Sequence, residues 1–547
     1  LREEYFNQYA QYNSESTNGG LIVPNQFFIK NSKQQASFNA YKFNTKRIVS
    51  TIFMIGTSWK NQLFLDITGR NDWSSALVYS YGTGNFSYFY PSVSGSWIIT
   101  ETFKDKLPKW VSFAKVRGSW AQVGNDTSPY YINSGYSVAT YQRGDKKIYG
   151  MTIPENMKST NLKPERKNAW EVGLDWRFLD SRIGVDLTYY KENTRNQIMT
   201  INVPWESGVK EKLINAGNIQ NSGIEIALNT TPIKKKQWQW DLNFTYTRNR
   251  NKIVELSPDV TSYINLDGAA NYGNYRIASV AKVGSDYGML MSDSWIKTDE
   301  KTGKPVVGYT NKFRTVYYKR GGTVKEVGSM LPNFLGSLNS TLRWKDLSLY
   351  VLFDARFGGY VASYNSRYAT AYGFSGETEK YRKGMTWTSK YANAQDKVFT
   401  DGFIPDVVFD AGTIVTTPGG TNQDVSGMTY QEAYEKGYVE PAHLQSAAYF
   451  KNSWGTGVIN DDWFKKINYI ALREITLSYN VPTKISSYIG AKNLSLSFTG
   501  RNLAYLLNTA PNHENPESVR GTGAAQFRMR SFMPYTASYL FTLNATF

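Results

Sequence analysis

Few residues in this chain have the type and spacing that covalent chemistry requires. The sequence has no cysteine and only two histidines, His443 and His513, far apart in the chain. Thiolate chemistry, a histidine zinc site and a histidine-based triad therefore lack their central residues. Asp461 and Asp462 resemble a carboxylate pair, but adjacent residues of an extended chain point to opposite sides, which favours a solvated loop. We expect no catalytic residue, no metal ligand, no cofactor and no enzyme activity.

The charge of the chain raises the question of an acidic partner. A formal net charge of +17 over 547 residues is compatible with nucleic acid, anionic lipid or an acidic ligand. The basic residues are dispersed, however, and no block of like charges marks a single groove. We therefore predict no nucleic-acid partner and interpret most of the charge as solvated.

The dominant pattern is strict alternation of apolar and polar residues. In "PYTASYLFTLNATF" at 534–547, every second residue from Tyr535 to Phe547 is apolar, and most of those between are polar. Side chains of a strand alternate between its two faces, so this segment has one apolar face. The same alternation recurs in "NAWEVGLDWR", "QWQWDLNFTYT", "DLSLYVLFD" and "NLSLSFTGRN".

Marking each alternating segment gives about thirteen long strands, each long enough to cross a bilayer. They are predicted near 46–59, 61–72, 87–98, 111–122, 166–178, 182–193, 219–230, 237–249, 333–344, 346–357, 466–479, 492–502 and 534–547. Short turns such as "WKNQ", "FLDSR", "PIKKKQ" and "WKDL" alternate with long connections, the longest at about 250–332 and 358–465. Short turns on one side and long loops on the other are typical of an outer-membrane barrel.

Two soluble folds compete with the barrel. A propeller predicts a constant repeat, which the uneven hairpin spacing lacks. A sandwich predicts strands of about five or six residues, and these are longer. Because unpaired backbone groups are costly in hydrocarbon, a spanning sheet must close, and an even strand number is expected. We therefore predict an all-β fold, a large antiparallel transmembrane β-barrel, with at least one strand missing upstream of the thirteen.

One strand breaks the alternation. In "INYIALREITLSYN" the pattern slips at Arg473 and Glu474, which would turn a charge toward lipid. A β-bulge, which inserts one extra residue into a strand, restores the register. We predict a bulge there.

Several longer motifs carry a resemblance to a known family. "LFLDITGRNDWSSAL", "NFSYFYPSVSGSWIITE", "LPKWVSFAKVRGSWAQVGNDTSPY", "NLKPERKNAWEVGLDWRFLDSRIGVDLTYY" and "YIALREITLSYNVP" closely resemble the SusC/RagA family of TonB-dependent outer-membrane transporters. The resemblance extends from about residue 47 to the end. A motif that usually reads "DPE" reads "NPE" here, at Asn515, Pro516 and Glu517.

The resemblance implies a function and a set of partners. It implies a barrel of about twenty-two strands, in which 1–45 is an extracellular loop and strand remnant and 46–547 is the C-terminal part of the barrel. It also implies an importer of oligomeric nutrients, mainly oligosaccharides and in some branches oligopeptides, in the outer membrane of a Bacteroidota-type Gram-negative bacterium. The expected partners are a SusD-like surface lipoprotein, outer-membrane lipid and TonB, contacted through a segment missing from this sequence, in a dimer of transporter–lipoprotein pairs. A passive or structural barrel and a soluble carbohydrate-binding β protein remain alternatives.

Two groups of residues are candidates for function. Sugars stack on aromatic rings, so aromatic residues of the long connections are the candidate substrate contacts. These are Trp205, Tyr360, Tyr364, Trp387, Trp454 and Trp463. By resemblance, Tyr539, Phe541, Leu543 and Phe547 form the signal for barrel assembly. The tryptophans Trp59, Trp110, Trp240 and Trp344, at the short-turn ends, are expected in an aromatic belt.

Overall fold

The structure is a computed structural model that consists mainly of strands. It describes residues 2–8, 42–104, 106–143, 146–203, 206, 208–257, 263–272, 275–293, 295–321, 324–376, 379, 384–443, 464–520, 527–529 and 534–547. Strands account for 61% of the residues and helices for 9%, so the predicted all-β class is confirmed. No helix in these ranges is long and apolar enough to cross a membrane.

Strands are the main elements of residues 1–363 wherever the structure describes them. The strands before the first very long connection are β1 Arg2–Gln8, β2 Lys42–Trp59, β3 Leu63–Ser74, β4 Ser87–Ile98, β5 Val111–Asn125, β6 Ser137–Arg143, β7 Lys146–Thr152, β8 Asn156–Lys158, β9 Glu165–Phe178, β10 Ile183–Asn202, β11 Glu211–Lys234 and β12 Trp238–Glu255. The next are β13 Tyr263–Tyr272, β14 Tyr275–Lys282, β15 Met289–Ser292, β16 Val306–Thr310, β17 Thr315–Tyr318, β18 Lys325–Ser329, β19 Phe334–Trp344 and β20 Leu347–Ser363.

The remaining elements complete the described chain. The strands are β21 Met385–Thr388, β22 Val398–Gly402, β23 Val408–Phe409, β24 Ile414–Thr416, β25 Asn422–Asp424, β26 Phe464–Val481, β27 Asn493–Asn508, β28 Val519–Arg520, β29 Arg528–Met529 and β30 Ser538–Thr546. The α-helices are α1 Ile99–Thr102, α2 Tyr364–Ala371, α3 Tyr430–Glu435 and α4 Thr483–Ser486, and 3₁₀ turns occur at Ser75–Leu77, Ala392–Ala394, Ser487–Ile489 and Pro511–His513.

A long strand lies at each of the predicted positions, and β1 is an additional strand near the start. β1 pairs antiparallel with β2, from Arg2 opposite Ile48 to Gln8 opposite Lys42. The final strand is shorter than predicted, since β30 begins at Ser538. β1 lies in the segment 1–45, for which the resemblance implies a loop and a strand remnant.

The short turns form because their residues adopt the left-handed backbone region. Lys60 and Asn61 have φ values of 50° and 54°, and the amide of Gln62 donates to the carbonyl of Trp59 at 2.9 Å. Positive φ at both central residues is the geometry that matches the twist of a hairpin. Lys345, in the turn between β19 and β20, likewise has a φ of 51°.

The apolar face of the long strands is exposed rather than covered by protein. Leu349 is 38% exposed and Phe541 is 70% exposed. A soluble sandwich would bury these side chains in its core. Their exposure fits a sheet whose apolar face contacts lipid.

The described residues form two compact units. The first comprises Leu1–Ser96, Gly118–Trp170 and Glu192–Asn218. There β2 pairs with β3 from Ile48 opposite Ser74 to Trp59 opposite Leu63. Its polar face carries ion pairs, including Lys46 Nζ with Asp126 Oδ1 at 2.6 Å.

The second unit comprises Trp97–Arg117, Glu171–Lys191 and Ile219–Phe547. In it β12, β19, β20, β26, β27 and β30 pair antiparallel in that order. Successive long strands of the chain are thus neighbours in the sheet, as in an up-and-down barrel.

The two longest connections of the second unit have a hydrophobic core of their own. It is built from valine, alanine and aromatic side chains of β16, β17, β23, β24, α3 and the segments beside them, including Val307, Phe409 and the fully buried Tyr430. The hydroxyl of Tyr430 donates to the carbonyl of Glu440 at 2.7 Å. These connections therefore form a folded body, which alternation along the chain did not predict.

Candidate functional site at a β-bulge

The predicted bulge is present at Arg473. In the ladder between β20 and β26, Leu352 pairs with Glu474 and Phe353 pairs with Leu472, so Arg473 is skipped. The ladder between β26 and β27 shifts register at the same place. Because two residues of β26 oppose one of its neighbour, Arg473 and Glu474 both reach the polar face. The prediction of a bulge is confirmed.

The bulge places the Arg473 guanidinium between two carboxylates. Its Nη2 lies 2.8 Å from Asp354 Oδ2 on β20 and 2.7 Å from Glu517 Oε1. Its Nη1 donates to Glu517 Oε2 at 2.7 Å, so the contact with Glu517 is a two-bond fork. Forked arginine–carboxylate pairs fix orientation as well as charge. The side chain of Arg473 is only 18% exposed.

Two tyrosines and Asn515 complete this ion-paired cluster. The hydroxyl of Tyr505 donates to Glu517 Oε2 at 2.8 Å and lies 3.2 Å from Asn515 Oδ1. The ring of Tyr469 lies under Arg473, with 5.6 Å from the guanidinium carbon to the ring centre. Asn515 Oδ1 also accepts the amide of Glu517 at 3.1 Å. Asparagine therefore supplies the acceptor oxygen that the usual aspartate would, without its charge.

The acidity of Glu517 follows from these contacts. Glu517 lies between β27 and β30, outside the strands. Burial alone would raise the pKa of its carboxyl, but hydrogen bonds from Arg473 and Tyr505 outweigh burial, and the pKa lies below its usual value. A carboxylate with a lowered pKa in the folded protein contributes stability above its unfolded pKa, which is lost as the pH falls through the folded pKa. The cluster is thus complete at neutral pH and weakens in acid below about pH 4.

The same connection is held at a second point. Glu514 is 7% exposed and accepts a hydrogen bond from the Ser363 hydroxyl at 2.9 Å. Ala510 and Met529 pack with Val361 of β20 and residues of β26 in one apolar cluster. The last long connection, residues 509–537, is therefore anchored on the polar side of the sheet over its described residues.

We expect the ion-paired cluster to hold this connection in place. Replacing Arg473 with Gln removes the cation that lies between Asp354 and Glu517. Because these side chains are 36% and 41% exposed, the cost is about 1–3 kcal/mol, less than for a fully buried pair. Urea unfolding in lipid vesicles measures the loss, and limited proteolysis mapped by mass spectrometry should show new cleavage within 509–537.

Arg501→Gln is the matched control. Arg501 Nε pairs with Glu474 Oε2 at 2.9 Å on the same face, but neither residue has a hydrogen bond or ion pair to the part of the connection that the structure describes. We expect its cleavage pattern to stay unchanged. Equal cleavage in both variants would contradict an anchoring role for Arg473.

Glu514 should respond to pH in the opposite sense. Burial raises the pKa of its carboxyl, and the hydrogen bond from Ser363 offsets this only in part. The folded protein therefore binds the proton more tightly than the unfolded chain. Stability is highest below the unfolded pKa of this carboxyl and falls as the pH rises through its folded pKa. Glu514→Gln removes the buried charge and keeps an acceptor. We expect the variant to be more stable than the parent at pH 7, with the difference disappearing toward pH 4, in unfolding measured across pH; a less stable variant at pH 7 would contradict this.

The candidate aromatic residues are packed where the structure describes them. Tyr364 is 3% exposed and joins a cluster that includes Leu290 and Phe527, with Tyr360 packed against it. Trp387 stacks on Phe399 at 4.8 Å between ring centres. Trp205, Trp454 and Trp463 lie outside the described residues, as do Asp461 and Asp462. Substrate contact at these six aromatic positions stays a prediction.

The last strand presents its aromatic residues outward. Tyr539, Phe541, Leu543 and Phe547 are 58–71% exposed. β30 pairs with β27, where Phe541 lies opposite Phe498. The role of these residues as an assembly signal stays a prediction.

The charged groups of the cluster are engaged with one another. Both carboxylates of the cluster are engaged by Arg473, and among the described residues no group of three or more His, Cys, Asp or Glu side chains could hold a metal ion. Sequence analysis found Arg473 through its broken alternation and Glu517 through its motif. Tyr469, Tyr505 and Asp354 carried no such signal.

Comparison with known proteins decides the family. A sequence model of the TonB dependent receptor-like β-barrel matches residues 2–318. This chain belongs to that family. The fold is accordingly a large antiparallel transmembrane β-barrel of a family of outer-membrane receptors, and the polar face of its sheet is the interior face.

Curated relatives of this barrel are receptors of the same kind. TonB-dependent receptor P26 of Formosa agariphila is 23% identical over 486 residues, covering 87% of this chain and 43% of the relative. TonB-dependent receptor SusC of Bacteroides thetaiotaomicron is 28% identical over 270 residues, covering 47% of this chain and 26% of the relative. The chain thus spans less than half the length of these relatives.

Among solved structures, the barrel is similar in fold to the RagAB peptide transporter. The TM-score is 0.65 at 17% identity, over 96% of this chain and 50% of the other. The RagAB peptide importer in its "closed-closed" state gives 0.67 at 15% identity, over 96% and 51%. At such low sequence identity, these two comparisons show a similarity of fold alone.

Proposed function

We propose that this barrel belongs to an energised outer-membrane importer of oligomeric nutrients, with oligosaccharides as the first substrate class and oligopeptides as the second. The observation that carries the proposal is the anchored connection on the interior face. Arg473, on the barrel wall, holds Glu517 of the last long connection against the side that a passing solute would contact. A connection held on the interior face can contact a polar solute and control its passage through the barrel.

Energy coupling and partners extend this proposal. A TonB-dependent receptor draws on TonB through a plug-bearing segment, and a SusD-like lipoprotein would close the extracellular mouth, in a dimer of such pairs. The names of the relatives support TonB dependence, since P26 and SusC are both TonB-dependent receptors. The RagAB description supports a peptide as the alternative cargo.

The test begins with material purified from the native membrane. Mass spectrometry of small molecules that co-purify with the receptor complex should find an oligosaccharide or an oligopeptide. Uptake of the identified compound is then compared in cells with and without the gene, and with and without TonB. Loss of uptake in both deletions supports an energised importer.

The same experiment separates the alternatives. Uptake that needs the barrel but not TonB indicates a passive barrel. Cells without the gene that take up every oligosaccharide and peptide offered would remove the importer hypothesis.

A further inference from the structure

Three basic side chains form a ladder on one face of β12. Arg248, Arg250 and Lys252 occupy alternate positions, and all three are exposed. Alternate residues of a strand share a face and lie about 7 Å apart along it. We call Arg248, Arg250 and Lys252 the basic ladder.

Contacts of the intervening residues show that the basic ladder faces outward. The side-chain amides of Asn249 and Asn251 donate to Asn221 Oδ1 of β11 at 3.2 and 2.8 Å. Next on that face, Ile253 is fully buried against a cluster that includes Ile219 of β11. The face of Asn249, Asn251 and Ile253 therefore continues the polar face of β12 and ends in packed side chains at Ile253. The basic ladder lies on the opposite face.

The basic ladder directly continues the apolar face of β12. That face begins with Trp238, which stacks on Trp344 at 5.6 Å beside the short turn. It ends with Tyr246, whose ring centre lies 5.3 Å from that of Phe334, which in turn stacks on Phe357 at 4.8 Å. The segment from Trp238 to Tyr246 is about as long as the roughly 9 to 11 residues with which a tilted strand crosses a bilayer. Arg248 is the next outward residue.

The basic ladder lacks the counter-charges that other arginines of this unit have. Arg343 pairs with Asp241 at 3.3 Å and Arg501 with Glu474 at 2.9 Å, both on the interior face. Within the ranges that the structure describes, no carboxylate lies within ion-pair distance of Arg248, Arg250 or Lys252. Three unpaired cations just beyond an aromatic girdle lie at the level of lipid headgroups.

We propose that Arg248, Arg250 and Lys252 bind the phosphate groups of a phosphorylated glycolipid in the outer leaflet. The long connections lie on this side of the barrel, so the leaflet is the external one. A guanidinium matches a phosphate with two parallel hydrogen bonds, and a lysine adds a mobile positive charge. The site concerns the membrane around the barrel and is independent of the imported substrate.

The test compares two triple variants of the receptor purified in detergent. The ladder variant carries Arg248→Gln, Arg250→Gln and Lys252→Gln. Its matched control carries Lys234→Gln, Lys235→Gln and Lys236→Gln, which removes the same charge from the exposed turn at the other end of the β11–β12 hairpin. Native mass spectrometry titrates each protein with bisphosphorylated lipid A, with dephosphorylated lipid A and with inorganic phosphate.

The expected result is selective loss of one ligand. The parent and the turn control should bind bisphosphorylated lipid A at least about tenfold more tightly than the ladder variant, since each cation at a membrane surface contributes separately. Dephosphorylated lipid A should not distinguish the three proteins, and inorganic phosphate should bind too weakly to compete. Unchanged heat-dependent gel mobility confirms that the ladder variant is folded.

Three results would overturn the proposal. One is a ladder variant that binds bisphosphorylated lipid A as tightly as the parent. Another is a parent protein that does not distinguish the phosphorylated from the dephosphorylated lipid. Inorganic phosphate that displaces the lipid at equal concentration would likewise show an anion site unrelated to the membrane.

Discussion

The substitution Leu338→Arg is expected to destabilise the barrel by about 2–4 kcal/mol, the cost of a charged residue on the lipid face near the middle of the membrane. Leu338 is 38% exposed and lies between Phe244 of β12 and Phe353 of β20 in the ladders of β19. All three side chains belong to the apolar face. Urea unfolding of the Leu338→Arg variant in lipid vesicles measures the free energy directly.

The neighbouring residue supplies the control. Asn339 faces the interior, where its Oδ1 accepts a hydrogen bond from Asn243 at 2.6 Å. Asn339→Arg removes that bond, worth about 1 kcal/mol, but leaves the new charge in water. Two substitutions one residue apart should therefore differ severalfold in cost. Equal costs would mean that the two faces do not contact different solvents, and the assignment of a lipid face would fail.

Loss of the C-terminal aromatic residues should remove most of the receptor from the outer membrane. Tyr539 and Phe541 are 68% and 70% exposed, and burying a side chain of this size in an apolar phase is worth about 1.5–3 kcal/mol. Tyr539→Ser with Phe541→Ser is therefore expected to impair both assembly in cells and folding into vesicles. The control, Leu540→Ser with Thr542→Ser, changes the other face of β30 and should assemble at nearly the parent level.

Deletion of Phe547 separates a sorting signal from lipid contact. Phe547 follows the end of β30 at Thr546, so its removal leaves the strand pairing intact. If assembly machinery reads this residue, the deletion should lower the amount of receptor in the outer membrane of cells and leave spontaneous folding into vesicles unchanged. Equal loss in both measurements would indicate lipid contact alone, and no loss in cells would contradict the assembly signal.

Local pattern was sufficient where a residue's role depends on its immediate neighbours in sequence. The alternation in β12, β20 and β30 located strands because each face of a strand meets one environment. The slip at Arg473 predicted a bulge for the same reason. A charge on the lipid face is costly, and one extra residue in the strand turns that charge to the polar face. The short turn at Lys60 and Asn61 was also visible locally, since hairpin turns depend on a few residues.

Packing between distant segments was not visible in this way. Tyr364 and Trp387 looked like free loop aromatics, because nothing near them in sequence shows that Phe527 and Phe399 cover them. The core of the long connections, with Tyr430 at its centre, likewise depends on residues from several separate strands. Loop composition alone could not distinguish a folded body from a solvated connection.

By itself, the sequence determined the strands, their two faces, the short turns and the membrane class. Apolar and polar residues alternate because one face of the sheet contacts hydrocarbon and the other contacts water. Only the tertiary structure decided which charges meet. Arg473 reaches Asp354 across 119 positions and Glu517 across 44, whereas the basic ladder of β12 meets no carboxylate in the described chain. An ion pair requires closeness in space, and the sheet brings residues together from strands and connections whose separation in sequence carries no record of that contact.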